Sequence, residues 1–237
     1  MLQNNITILS TRPLAPAVIN NAAANGIRVQ QRSFIETEPI QNTALQQEVE
    51  SVLQQYATVV FTSMNAVEAV AAYLQDEQPD WRIYCMGKTT RELVTKYFGE
   101  NSIAGTASDA AALAEVIALD ADNEEVVFFC GDQRRDELPA ILQQQGIEVT
   151  EITVYHTIAT PQVVDKNYHG VLFYSPSAVE SFFSVNKPAA NTTFFAIGQT
   201  TANAIKKHSS NTIITANRPG KEALVEKAIN YFVHNER

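Results

Sequence analysis

The sequence predicts a parallel α/β protein made of two similar, doubly wound domains. The first observation is that short, almost continuously apolar runs alternate with longer helical patterns along the 237 residues. The second is that the same strand-helix units occur twice. The third is an ordinary globular composition, 45% hydrophobic and 18% charged, which supplies enough apolar material for two cores. Apolar runs that are each followed by a helix are typical of a parallel sheet covered on both faces.

In the first half of the chain, the apolar run ITILS predicts a strand, and the helix after it is closed by Gly26. The later helix 42–57 is amphipathic, with Leu45, Val49 and Tyr56 at helical spacing. The predicted elements are strand 6–10, helix 16–26, extended segment 28–37, helix 42–57, strand 58–63, helix 65–75, strand 82–87, helix 88–99, strand 102–105 and helix 109–119.

The second half continues the same alternation of apolar runs and helical patterns. The predicted elements are strand 124–131, helix 136–146, extended segment 147–157, strand 170–175, helix 177–185, strand 192–198, helix 199–208, strand 212–216 and helix 221–234. Regular strand-helix steps of this kind indicate βαβ units and a parallel sheet.

The chain contains an internal duplication. The segment VVFTSMNAVEAV, which starts at Val59, resembles VLFYSPSAVESF, which starts at Val171, with an offset of 112 residues between Ser63 and Ser175. IYCMGKTTRELV likewise resembles FFAIGQTTANAI, and the segments 8–37 and 102–117 resemble 127–157 and 212–229. Four units therefore occur in the same order twice, and each domain needs one copy of each.

The duplicated units can be grouped in two ways. A simple tandem would divide the chain near residue 120. In the alternative, the first unit joins the last three, which makes domain one from 1–36 and 157–237 and domain two from 37–156. The long extended ends of 28–37 and 147–157 suit a two-stranded link between domains, so we expect the discontinuous arrangement.

Composition limits the possible functions. Nine glycines argue against a Gly-rich phosphate loop, and a net charge of −9 is unfavourable for binding nucleic acid or an anionic membrane. Cys85 and Cys130 lie inside apolar runs and are expected to be buried free thiols of a reducing cytoplasm. The N-terminus has no signal-peptide pattern, and no apolar run is long enough for a membrane span.

The loops after the predicted strands are the candidate ligand site, because ligands of doubly wound sheets bind beyond the carboxyl ends of the strands. Helix N-termini and hydroxyl groups there favour carboxylates or phosphates. Ser63, Ser175, Thr89 and Thr200 can equally be helix N-caps, and the duplication would have copied caps as well. The candidate substrate-binding residues are Thr11, Arg12, Ser63, Asn65, Lys88, Thr89, Gly131, Arg135, Ser175, Ser177, Gly198, Gln199, Thr200 and Thr201.

Other chemistry finds little support in the sequence. The histidines 156, 169, 208 and 234 are scattered, so we expect no metal site, and the P-loop, G-x-G-x-x-G and G-x-S-x-G patterns are missing. Cys130 is a possible nucleophile, but no base accompanies it and a core thiol is expected. Arg134 and Arg135 are either solvated charges or, for one of them, an anion ligand. Tyr155 is either an aromatic plug or a weak acid.

The segments FTSMNAVEAV, MGKTTRELV, YSPSAVESF, IGQTTANAIKK and the run from Gly131 to Thr157 together resemble uroporphyrinogen-III synthases, over nearly the whole chain and in order. The resemblance implies two α/β domains with a two-stranded β linker, an active site in the cleft between them and no cofactor. It implies a cytoplasmic, monomeric lyase of heme biosynthesis that cyclises the linear tetrapyrrole hydroxymethylbilane with inversion of the last pyrrole and loss of water. The family's motif tyrosine falls on Tyr155, as an aid to departure of the hydroxyl. Its motif hydroxyls fall on Thr11, Ser63, Thr89, Ser175, Thr200 and Thr201.

Such a reaction depends mainly on positioning and needs neither a metal nor a catalytic triad. The substrate's eight carboxylates and the protein's charge of −9 repel one another. We expect helix N-termini, with Arg12, Lys88, Arg135 and Lys221, to supply local positive potential. The rival hypotheses are a non-catalytic two-domain binding protein for a small anion and an NAD(P)-linked enzyme. The missing signal peptide weakens the first, and the missing glycine fingerprint weakens the second.

Overall fold

A computed structural model describes residues 6–74, 78–120, 124–218 and 220–234. Across these residues the protein is a mixed α/β structure with two sheets of mainly parallel strands and nine α-helices. The predicted class, an α/β protein with two parallel sheets, is therefore confirmed. Within the same residues, no helix is long and apolar enough to cross a membrane.

The elements up to the end of the second sheet follow one another with short loops. In chain order they are β1 (Ile6–Ser10), α1 (Pro16–Ala24), β2 (Ile27–Gln31), β3 (Ile35–Pro39), α2 (Thr43–Leu53), β4 (Ala57–Phe61), α3 (Met64–Ala71), β5 (Trp81–Met86), α4 (Lys88–Phe98), β6 (Ile103–Ala107), α5 (Ala110–Ala118), β7 (Glu125–Gly131), α6 (Glu137–Gln144) and β8 (Glu148–Ala159).

The remaining elements complete the first sheet. They are β9 (Gly170–Phe173), α7 (Pro176–Val185), β10 (Thr193–Ala196), α8 (Gln199–Lys206), β11 (Ile213–Thr215) and α9 (Lys221–His234). The chain divides into two compact units, Met1–Glu36 with Ile158–Arg237 and Thr37–Thr157. The chain passes between the units twice, within β3 and within β8.

The two sheets have the same strand arrangement. The first has the order β11-β10-β9-β1-β2, and the second has β6-β5-β4-β7-β8 with β3 added at its edge. Each sheet therefore contains strands from all four duplicated units, two from the unit of segments 8–37 and 127–157 and one from each of the other three. These five strands are parallel in both sheets. Two bonds, from the Ile40 N–H to Val154 O and from the Thr160 N–H to Phe34 O, make β3 antiparallel to β8.

Burial on both faces explains the continuous apolar runs of the strands. In β4, Val59 and Phe61 pack into the core on one face of the sheet, and Val60 packs into the core on the other. The equivalent strand β9 divides in the same way, with Val171 on one face and Leu172 on the other. Successive side chains of a strand point to opposite faces, so a doubly covered strand must be apolar at every position.

The helix predicted at 42–57 is shorter than expected, because α2 ends at Leu53 and the chain already begins β4 at Ala57. Tyr56 consequently lies outside the helix and is 60% exposed. The extended segment predicted at 28–37 forms two strands, because β2 pairs with β1 and β3 pairs with β8. The periodicity of the sequence located the apolar segments correctly. The ends of the helices and strands depended on which strands pair in the folded protein.

Both cysteines are buried free thiols, as predicted. Cys85 lies in β5 and is fully buried, and burial raises its pKa to about 11. Cys130, near the end of β7, is 2% exposed, and burial raises its pKa as well. A thiol in this environment is neither ionised nor accessible at neutral pH, so neither residue is a nucleophile in this state.

We therefore expect both thiols to be unreactive in the folded protein. In a titration with 5,5′-dithiobis(2-nitrobenzoate) at pH 8, the native chain should react at least about 100-fold more slowly than an exposed cysteine, because only the ionised, accessible thiolate attacks. The same protein in guanidinium chloride is the control and should react at both cysteines. Rapid modification of one thiol in the native protein would contradict the buried environment described here.

Candidate active site

The carboxyl ends of β4, β5 and β7 emerge at one edge of the second sheet, because these strands are parallel neighbours. Ser63 follows β4, Gly131 ends β7, and Tyr155 lies opposite Gly131 in β8. The sheet topology thus brings residues 63, 131 and 155 together although the chain separates them widely. This edge is where ligands of open parallel sheets bind.

Ser63 and Ser175 are helix N-caps, as one of the two interpretations predicted. Ser63 Oγ accepts the N–H of Asn65 at 3.2 Å at the start of α3. Ser175 Oγ accepts the N–H of Ala178 at 3.2 Å at the start of α7. Each hydroxyl satisfies one of the otherwise unpaired N–H groups of its helix, which stabilises the helix by about 1 kcal/mol.

The cap interpretation is wrong for Thr89 and Thr200. Their helices, α4 and α8, are preceded by the cap residues Gly87 and Gly198, and both threonines lie exposed in the first helical turn. A glycine cap has no side chain that could accept a hydrogen bond, so the first N–H groups of these helices remain available to an anion. Thr201, in contrast, is 1% exposed and faces the core.

Tyr155 is a half-buried residue whose ring and hydroxyl have different surroundings. Its ring packs against the core and lies over Gly131, where a Cβ atom would come within 2.4 Å of the ring. Its hydroxyl donates to Ser63 Oγ at 3.1 Å. Only glycine leaves room for this approach, which explains the residue type at 131. Both interpretations of Tyr155 are therefore compatible with its geometry, since one ring serves as a plug and as a directed phenol.

The pair formed by Tyr155 and Ser63 has a defined direction of hydrogen bonding. Ser63 Oγ accepts from the Tyr155 hydroxyl and from the Asn65 N–H. A serine hydroxyl has two acceptor lone pairs and one proton, so these two bonds leave the proton of Ser63 to be donated outward. The pair can consequently donate a proton or a hydrogen bond to a group placed at this edge of the sheet.

The two arginines of the loop after β7 differ. Partial burial disfavours the charge of Arg134, but its ion pairs with Asp136 and Glu151 outweigh that effect, so its pKa is raised. Arg135 is exposed and makes no ion pair with any residue in the described ranges. Arg134 is therefore a structural ion-pair residue, and Arg135 is the cation that an anionic ligand can reach.

The loop edge of the first unit contains two neighbouring cations. Lys221 begins α9, and its pKa is lowered, first by burial and then by the positive charge of Arg12. Tyr174 lies beside them, with its pKa raised to about 12 by burial, and accepts a bond from the Ser10 hydroxyl at 3.4 Å. Lys221 is exposed and Arg12 is half-buried, so an anion can reach both of these mutually repelling cations.

The other predicted residues contribute in different ways. The Thr11 side chain is fully buried and donates to Leu172 O at 2.8 Å, so it is used inside the protein. Lys88 is exposed and lies 3.8 Å from Glu92, and Gln199 donates to Asn203 at 2.8 Å. Ser177 lies in the first turn of α7.

Sequence reasoning missed Asp132, Ser10 and Tyr174. Asp132 follows Gly131 directly, and its carboxylate binds the backbone N–H of Thr157 at 2.9 Å. The available signal for Asp132 was a carboxylate directly after a glycine that ends a strand. Its hydrogen-bond partner, Thr157, could be identified only once the pairing of β7 with β8 was known. Within the described parts of the chain, no three His, Cys, Asp or Glu side chains come together as metal ligands.

Comparison with known proteins gives a consistent result. The model of the family described as uroporphyrinogen-III synthase HemD matches residues 17–226. The fold is similar to that of uroporphyrinogen-III synthetase from Helicobacter pylori 26695, with 17% identity, a TM-score of 0.67 and coverage of 95% of this chain and 99% of that one.

A second similar fold is that of a mutant uroporphyrinogen III synthase from the extremely thermophilic bacterium Thermus thermophilus, with 13% identity, a TM-score of 0.61 and coverage of 98% of this chain and 100% of that one. At these identities the two structures bear on the fold alone. The family match covers more than half of the chain, and it agrees with the resemblance seen in the sequence. The chain therefore belongs to the uroporphyrinogen-III synthase family, whose members are cyclising lyases that act on a tetrapyrrole in heme biosynthesis.

Proposed function

We propose that this chain cyclises hydroxymethylbilane to uroporphyrinogen III, with inversion of the terminal pyrrole and loss of water. The observation that carries the proposal is the Tyr155 hydroxyl bound to Ser63 at the carboxyl edge of the second sheet, in a chain of this family. The pair supplies a proton donor with a fixed direction. The reaction needs one weak acid, at the terminal hydroxyl of the substrate that leaves as water.

The proposed first step is loss of the substrate's terminal hydroxyl. The pair of Tyr155 and Ser63 donates a proton, the C–O bond breaks, water leaves, and the remaining azafulvenium cation is stabilised by resonance with the pyrrole nitrogen. The cationic carbon then bonds to the substituted α-carbon of the last pyrrole, which gives a spiro intermediate. The bond from this α-carbon to the methylene of the preceding pyrrole breaks, which leaves a second azafulvenium cation, and the methylene bonds to the free α-carbon of the inverted ring. The final ring closure releases a proton, which restores the pair. Atoms and charge therefore balance with water as the sole by-product.

Positioning accounts for most of the proposed catalysis. The azafulvenium cation forms without a strong acid, but an unguided bilane closes without inversion to the type I isomer. Holding a flexible chain in one geometry removes that competing reaction and lowers the entropic part of the barrier. Exposed or half-buried residues at the two loop edges are proposed to hold the substrate; they are Arg12, Ser63, Asn65, Lys88, Thr89, Arg135, Ser175, Ser177, Gln199 and Thr200. Gly198 contributes through its backbone, and Gly131 through the room that it leaves for Tyr155.

Local electrostatics support binding of a polycarboxylate to a chain with a net charge of −9. Arg12 and Lys221 repel each other, and a bound carboxylate would relieve this repulsion. The glycine caps of α4 and α8 leave helix N–H groups for further carboxylates. Thr11 and Thr201 are buried, so we assign them to the scaffold.

We further propose that the two compact units are functional domains that share one linear tetrapyrrole molecule. The buried, unpaired thiols are consistent with a cytoplasmic enzyme, and the negative net charge is consistent with a protein that binds neither nucleic acid nor membranes. We propose a monomer that works without a cofactor.

The assay that tests the function supplies hydroxymethylbilane, oxidises the products and separates the type I and type III porphyrins. We expect the type III isomer to predominate, because the enzyme excludes closure without inversion. A reaction without protein is the control and should yield type I. If the protein binds the bilane but only type I forms, the chain is a binding protein and the proposal fails.

Replacement of Tyr155 by Phe removes the hydroxyl that donates to Ser63 while it keeps the packing of the ring over Gly131. We expect kcat to fall about 100-fold, the low end for a general acid, because the azafulvenium cation needs little acid assistance. The melting temperature and circular dichroism should stay close to those of the wild type. Wild-type turnover in this variant would remove Tyr155 from its proposed role.

Replacement of Ser63 by Ala separates the two roles of this residue when it is compared with replacement of Asn42 by Ala. Asn42 caps α2 by accepting the N–H of Leu45 at 2.8 Å and lies outside the proposed site. Each change should lower the free energy of unfolding by about 1 kcal/mol, measured by urea denaturation, because each removes one N-cap. Only the Ser63 variant should lose turnover. Equal turnover in the two variants would show that Ser63 acts only as the N-cap of α3 and has no role in the reaction.

A further inference from the structure

The segment of β8 around Tyr155 departs from a regular pairing with β7. Cys130 pairs with Thr153, but the next residue, Gly131, pairs with Tyr155, so β8 carries one extra residue at this point. The extra residue is Val154. Its carbonyl accepts a hydrogen bond from the N–H of Ile40, which directly follows β3 on the other side of β8. An extra residue of this kind interrupts the ladder and redirects the side chains that follow it. The regular ladder therefore does not by itself determine the position of Tyr155.

Asp132 makes the contacts that hold β8 beyond this bulge. Its N–H donates to the carbonyl of Tyr155 at 3.1 Å. Its Oδ1 accepts the N–H of Thr157 at 2.9 Å, and its Oδ2 lies 3.2 Å from Nδ1 of His156. One residue thus contacts three consecutive residues of β8, with Tyr155 as the first of them.

The neighbouring acidic residues are engaged elsewhere and cannot take over this role. Glu151 and Asp136 both bind Arg134. Asp132 does not contact the Tyr155 phenol in the structure; its bonds go to the strand that carries the phenol. Its effect on the bond between Tyr155 and Ser63 must therefore be transmitted through the backbone of residues 155–157.

We propose that Asp132 is a positioning residue for Tyr155: it holds β8 beyond the bulge, so that the phenol stays within hydrogen-bond distance of Ser63. This inference rests on the proposed function of Tyr155. A displacement of about 1 Å at a reacting group can reduce a rate by about 100-fold. An anchor two residues away from the phenol is therefore sufficient to affect turnover.

Three variants test the proposal in the full-length protein. Asp132→Ala removes the acceptor for the Thr157 N–H, Asp132→Asn keeps an oxygen that can accept it, and Asp136→Ala is the control for loss of one negative charge in the same loop. We expect kcat to fall by about 10- to 100-fold in the alanine variant at position 132, with KM changed by less than about twofold. The asparagine variant should retain most of the activity, and the Asp136 control should match the wild type.

A second measurement does not depend on activity. In a protein labelled with [13Cζ]tyrosine, the NMR signal of Tyr155 is assigned by its absence from the Tyr155→Phe variant. Asp132→Ala should move this signal toward that of a solvated tyrosine, whereas Asp132→Asn and Asp136→Ala should leave it in place. If the alanine variant does not fold, Asp132→Ser replaces it with the same expectation. An unmoved Tyr155 signal would overturn the proposal regardless of turnover.

A double-mutant cycle completes the test. If Asp132 acts through the Tyr155 hydroxyl, adding Asp132→Ala to Tyr155→Phe should lower kcat by less than about twofold further, the margin within which independent effects are measured. If the reduction of kcat in the double variant equals the product of the reductions in the two single variants, the proposal is overturned. Formation of type I isomer alone by the wild type would instead refute the proposed function, and the Tyr155 signal would still decide whether Asp132 positions the phenol.

Discussion

The contact between the Tyr155 ring and the backbone of Gly131 is the constraint on which the rest of the candidate site depends. A Cβ atom at position 131 would come within 2.4 Å of the ring, so any other residue would displace the tyrosine. With the ring against the strand, the hydroxyl reaches Ser63, which is already fixed as the cap of α3. A helix start, a strand end and a bulged strand therefore define one proton donor.

The same site shows how structural and functional roles coincide at a helix start. Ser63 stabilises α3 by satisfying an N–H group, and because it also accepts from Tyr155, its own proton is directed outward. Its duplicate, Ser175, makes the cap bond at 3.2 Å, but its unit supplies Tyr174 and two cations nearby instead of a phenol on the neighbouring strand. The two copies of one structural unit have thus acquired different chemical surroundings.

Local charge reconciles an acidic protein with an anionic substrate. The net charge of −9 produces a long-range repulsion of the substrate, which solvent ions screen beyond about 10 Å. Contacts at close range depend on groups such as Arg12, Lys221 and the first N–H groups of α4 and α8, which have no side-chain cap because their cap residues are glycines. Arg134 illustrates the opposite case, because its charge is already neutralised by Glu151 and Asp136 and serves the stability of the loop.

The sequence by itself determined the fold class, the duplication and the burial of both thiols. These follow from the order of apolar runs and turns, since a strand covered on both faces must be apolar at each position. It also identified Ser63, Gly131 and Tyr155 separately as candidates. Only the tertiary structure decided that these three meet, because strand pairing brings together positions far apart in the chain.

Tertiary structure also decided which members of each motif are accessible. In each Thr-Thr pair the first threonine is exposed and the second is buried, as Thr200 and Thr201 show. The sequence alone offers no means of distinguishing the two. Thr11 is buried because β9 lies beside it, and Asp132 is an anchor because a bulge brings Thr157 within reach. Packing and pairing partners, which the linear sequence does not encode locally, separate the residues that hold the protein together from those that can meet a substrate.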